Sequence, residues 1–97
     1  MRKNSIDFID ANVLNADLDG LIDDFEQSGI KVDYYYKSSS IKLAASVYDT
    51  VYRICQEALT NALKHGKASN VTVGLRYVER HVDLFIIDDG VARNRCF

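Results

Sequence analysis

Ninety-seven residues leave room for one domain around one core, so the chain 1–97 reads as a single unit. Hydrophobic residues at 47% and charged residues at 27% are ordinary for a packed globule, which excludes a disordered or fibrous chain. Twelve basic against fourteen acidic residues give a net charge of −2 with no basic block, so neither nucleic acid nor an anionic membrane is expected as a partner.

The first predicted element is a short strand from Ile6 to Ile9. Leu18, Leu21, Ile22 and Phe25 then recur at helical spacing and predict a helix from about Asp17 to Ser28, with Gly29 placed to end it. From Ile30 to Tyr36 the period changes to two. Ile30, Val32, Tyr34 and Tyr36 share one face, as in a half-buried strand. Ser38, Ser39 and Ser40 form a polar connection. A long helix follows, starting near Ser46, where Ser46 and Asp49 have capping-box spacing, or a turn earlier. It runs to His65, with Gly66 as its stop. Alternation returns in Asn70 to Tyr77 and in Val82 to Ile87, and the four residues from Val78 to His81 are few enough for a hairpin. This order predicts an α/β fold, a two-layer α/β sandwich with a mixed sheet and helices on one face.

Cys55 falls on the apolar side of the long helix and reads as a small buried hydrophobe, with Cys96 an incidental thiol near the end. Two cysteines are too few for a disulfide framework, and no metal-ligand spacing is present. The longest apolar runs, such as Leu84 to Ile87, fall far short of the roughly 20 residues a bilayer span requires. Met1 to Asn4 are not followed by a signal-peptide core, so a cytoplasmic location without membrane contact is expected.

On the long helix, Val47, Val51, Ile54, Cys55, Ala58 and Ala62 account for a core-facing stripe. Arg53, Glu57, Asn61 and Lys64 recur at +4, +4 and +3 and stack along another. A carboxylate, an amide oxygen and a cation on one line suit a magnesium-bound phosphate chain; a solvated helix face explains the same spacing. Asp88, Asp89 and Gly90, at the end of an apolar strand, read either as a ligand-facing strand end or as an acidic turn.

Taken in order, the run from Arg53 to His65, RICQEALTNALKH, resembles the N-box of sensor histidine kinase ATPase domains, in the branch related to nitrate sensors. Ile86-Ile87-Asp88-Asp89-Gly90 is similar to the start of that family's D-x-G-x-G motif. The resemblance implies the Bergerat, or GHKL, ATPase fold, with ATP held between the long helix and a mobile lid. It implies that Asn61 ligates magnesium, that Glu57 is the catalytic carboxylate at the γ-phosphate, and that Lys64 contacts phosphate oxygens. Asp88 would accept from the adenine amino group, and Gly90 would allow close backbone approach beside the base. His65 belongs to the motif, with a charge at the negative end of the helix as its other reading. Arg53 reads as an ion-pair partner of Asp49 or Glu57.

The sequence departs from the family in having Ala92 at the second glycine position and no G-x-G anywhere. Neither His65 nor His81 stands in the H-[DE] context of a phosphoacceptor. A C-terminally truncated piece of the ATPase domain is therefore expected, binding ATP weakly and inactive alone. Its parent would transfer the γ-phosphate to a histidine of a separate dimerisation domain and serve a response regulator. The alternative is a non-catalytic interaction module with a degenerate nucleotide site, forming a homodimer through an exposed sheet edge.

Overall fold

The computed structural model describes residues 7–65, 70–79, 81–88 and 91–97, with the backbone alone at 65 and 91–95. Strand β1 (Phe8–Asp10) leads directly into helix α1 (Ala11–Glu26). Asp10 caps that helix, its carboxylate accepting from the backbone N–H of Asn12 at 2.8 Å. The helix thus starts six residues before the expected Asp17, because Ala11 and Leu14 extend the apolar stripe and both are fully buried. Past its end, Gly29 takes φ 108, a left-handed conformation that only glycine adopts cheaply.

Strand β2 (Lys31–Tyr35) follows, and then β3 (Lys42–Ala44), which was not expected from the sequence. β3 pairs antiparallel with β1 in a two-stranded ribbon apart from the main sheet. Three-residue strands carry too little alternation to be read from a sequence. Helix α2 (Ala45–His65) begins one residue before Ser46, so Ser46 lies inside its first turn and not at the expected cap. There its carbonyl accepts from the Thr50 hydroxyl at 2.8 Å.

Strands β4 (Asn70–Val78), β5 (His81–Asp88) and β6 (Val91–Cys96) complete a four-stranded sheet in the order β2-β4-β5-β6. The sheet is mixed: β2 is parallel to β4, and the remaining pairs are antiparallel. Val78 and His81 are register partners at the expected hairpin, where Glu79 adopts φ 55. β6 has no counterpart in the sequence reading. Asp88 and Val91 are register partners; the acidic-turn reading of Asp88-Asp89-Gly90 allows for a chain reversal there but carries no expectation of a strand after it.

Both helices cover one face of this sheet. Val32 on β2, Val71, Val73 and Leu75 on β4, and Val82, Leu84 and Ile86 on β5 are buried there against Leu14, Leu18, Leu21, Ile22, Val51, Cys55 and Leu59. A buried polar knot ties α1 into this core. Asn15, 2% exposed, accepts from the Tyr77 hydroxyl at 2.6 Å and donates to the Lys37 carbonyl at 3.3 Å, while Tyr34 donates to the Asn15 carbonyl at 3.2 Å. No helix among the described residues is long and apolar enough to cross a membrane.

Candidate functional site

Helix α2 presents two chemically different sides. Val51, Cys55, Leu59 and Ala62 are buried in the core, while Arg53, Glu57, Asn61 and Lys64 are exposed. Only part of the expected polar stripe converges. Glu57 and Asn61 line one groove of about 420 Å³ together with Gln56 and Thr60. Arg53 opens instead onto a groove of about 760 Å³ between α1 and α2, beside Asp17, Asp24, Tyr48, Asp49 and Tyr52. The split follows from helical geometry: an i to i+4 step overshoots a turn by about 40°, so Arg53 and Asn61 lie about 80° apart around the axis. Among the described residues Arg53 forms neither of the ion pairs expected with Asp49 or Glu57. Within the α1–α2 groove the Tyr48 hydroxyl donates to Asp17, and desolvation together with that bond pushes the phenol up to about 12.

Gln56 and Thr60 were not singled out from the sequence. The signal was available, since Thr60 stands three residues after Glu57 and four after Gln56, the spacing at which helical side chains are neighbours. Its hydroxyl donates to the Gln56 carbonyl at 2.7 Å, which leaves the oxygen's lone pairs free to accept. Lys64 lies about one turn beyond Thr60 and outside the residues lining that groove. The His65 backbone ends α2, and its side chain lies outside the described residues, as does Gly90.

Asp88 ends β5 opposite Val71. Directly paired residues share a face, and Val71 is buried under the helices, so Asp88 belongs to the helix-covered face. It continues the row Val82, Leu84, Ile86 with a carboxylate where the preceding residues are apolar. Its Oδ1 is buried without a hydrogen-bond partner, the one such side-chain atom among the described residues. Buried polar atoms are ordinarily satisfied, so this one is an exception.

Asp88 does not line the groove of Glu57 and Asn61. The two sets are nevertheless brought to the same end of the sheet. α2 packs on β4 and β5, and β4 starts at Asn70, five residues after the helix ends at His65. That connection spans at most about 18 Å, and it delivers the chain to Val71, the register partner of Asp88.

Curated proteins similar in sequence include three sensor histidine kinases. The sensor histidine kinase LiaS of Bacillus subtilis is 35% identical over 77 residues, 79% of this chain and 21% of that protein. The oxygen sensor histidine kinase NreB of Staphylococcus carnosus is 32% identical over 96 residues, 98% of this chain and 27% of its own length. The sensor histidine kinase LnrJ of Bacillus subtilis is 32% identical over 71 residues, 72% of this chain and 18% of its own. The chain is a relative of the sensor histidine kinases.

This histidine kinase relative spans about a quarter or less of the curated proteins it matches. In fold, the chain is similar to the Acinetobacter baumannii histidine kinase AdeS, which superposes with a TM-score of 0.59 at 16% identity, covering 93% of this chain and 44% of that one. No family model matches. The comparisons and the α/β fold together support the expected kinship with a histidine kinase ATP-binding domain.

Proposed function

We propose that this chain binds ATP with magnesium as part of the ATP-binding domain of a sensor histidine kinase. The observation that carries the reading is Asp88 Oδ1, a buried acceptor with no internal partner on the helix-covered face. An adenine amino group is the donor it would suit. Asn61, with an amide oxygen in the α2 groove, would hold magnesium, and Lys64 would meet phosphate oxygens. Among the described residues no group of three or more His, Cys, Asp or Glu is placed to hold a metal. A magnesium ion suits such a sparse site, because it keeps waters and takes most remaining ligands from phosphates. Glu57, exposed beside Asn61, is the carboxylate available to accept a proton or orient a group at the terminal phosphate. His65 and Gly90 keep the roles the family resemblance implies. In the parent protein the phosphate acceptor would be a histidine of a separate dimerisation domain, with a response regulator downstream.

Titration calorimetry of the chain with magnesium-ATP tests this. Asp88→Asn keeps the shape of the side chain but replaces one acceptor oxygen with a donor, and it should weaken ATP at least tenfold while leaving the thermal midpoint unchanged. Equal affinity in variant and parent would remove Asp88 from the site. A second reading, an interaction module that forms a homodimer edge to edge, rests on β2 and β6 being the outermost strands of the sheet. Sedimentation at increasing concentration separates it, since a monomer throughout rules that assembly out.

A further inference from the structure

The groove between α1 and α2 plays no part in the nucleotide reading. Along α1, Asp17, Gly20 and Asp24 stand at +3 and +4 and share one side of the helix. On α2, half-buried Tyr48 and Tyr52 stack, with ring centres 6.2 Å apart and planes 11° apart, and Asp49 lies beside them. Among the described residues lining this space of about 760 Å³, the three carboxylates face one cation, Arg53. Asp17 accepts from the Tyr48 hydroxyl. Asp24, Asp49 and Arg53 have no side-chain hydrogen bond or ion pair among the described residues. A cleft lined mainly by one sign of charge attracts the other, and aromatic rings strengthen the attraction for ammonium and guanidinium groups.

Gly20 is a second, independent feature. It lies in the interior of α1, where glycine is a poor helix former. Nothing among the described residues requires it there: its φ is not positive, and a Cβ built on it would meet no atom within 4 Å. The missing side chain leaves α1 bare between Asp17 and Asp24, so a polypeptide backbone can lie close against the helix at that point.

We propose that this groove docks a positively charged segment of a partner protein, its lysine or arginine side chains meeting Asp17, Asp24 and Asp49 and its backbone passing over Gly20. A peptide suits the groove better than a free polyamine. Arg53 and Gln56 also line it and offer N–H donors, which a peptide carbonyl accepts and a protonated amine does not. A second copy of the chain is disfavoured as occupant, since two such grooves face to face would oppose like charges. Gln56 also lines the groove of Glu57 and Asn61, so a docked segment reaches the edge of the proposed phosphate site without depending on it.

Fluorescence anisotropy with a labelled synthetic peptide of alternating arginine and alanine, in the absence of nucleotide, tests the docking site. The parent should bind the peptide saturably, and spermine should displace it only at tenfold or greater excess. Asp24→Asn combined with Asp49→Asn should weaken binding at least tenfold. Asp19→Asn combined with Asp23→Asn removes the same charge from exposed positions outside the groove and should stay within twofold of the parent. Gly20→Leu should raise the thermal midpoint, because leucine is the better helix former, while weakening the peptide at least fivefold. A glycine of purely structural importance would not move the two readouts in opposite directions. Equal losses from the two aspartate pairs, displacement by equimolar spermine, unchanged affinity in Gly20→Leu, or no binding by the parent would each overturn the proposal.

Discussion

The two sides of α2 run the length of one helix and answer to different physics. On one, Val51, Cys55, Leu59 and Ala62 are excluded from water by both the sheet and α1. On the other, Gln56, Glu57, Thr60 and Asn61 line an open groove, where among the described residues the Thr60 hydroxyl donating to the Gln56 carbonyl is the side-chain hydrogen bond they make. Residues of the first kind are held by packing and should register in stability. Those of the second kind should register in ligand affinity and hardly in stability. The comparison teaches that the polar stripe is not a stability device of the fold, since among the described residues it makes no ion pairs.

The largest effect expected is on the packed side. Leu59→Ala removes a fully buried side chain and should cost about 2–5 kcal/mol in urea unfolding. A loss below about 1 kcal/mol would mean that α2 does not seat on the sheet as described. Next is the knot that holds α1 in place. Tyr77→Phe deletes the donor to buried Asn15 and should destabilise by about 1–3 kcal/mol, measured the same way.

A smaller, graded effect comes from pH. Burial pushes the Cys55 thiol from its ordinary 9.0 up to about 12, and the Tyr77 phenol from 10.0 up to about 12. Above pH 9 the unfolded chain therefore releases protons that the folded chain retains, so stability falls as pH rises from about 9 toward 12. Stability flat across that window would show that these groups are wetter than described. Cys55→Ala should remove the part of the decline that begins nearest pH 9. The smallest change in stability is expected on the groove side, where Asn61→Ala should stay within about 0.5 kcal/mol of the parent. If magnesium-ATP affinity is also untouched, the distinction between the two sides of α2 loses its functional half.

Much of this was legible in the sequence, because it depends on local periodicity. The spacing of Val51, Cys55 and Ala62 gave the inner side of α2, and alternation in Val71, Val73 and Leu75 gave β4. The RICQEALTNALKH run carries the family resemblance within one local stretch, and the α/β sandwich follows from the element order. Other features could not be read this way. α1 starts six residues before the expected Asp17, and Asn15 is tolerated inside it because Tyr77, 62 residues away, satisfies its oxygen.

What the sequence settled alone was the identity of the chemical groups and their order along each helix and strand, since side-chain direction repeats every 3.6 or every two residues. Tertiary structure decided which of those groups meet. It separated Arg53 from Glu57 and Asn61, joined β1 to β3, and laid β6 along β5. It also buried Asp88 Oδ1 without a partner. Such outcomes depend on contacts between residues far apart in the chain, and whether a polar atom is wet, paired or stranded is fixed only when the layers close over it.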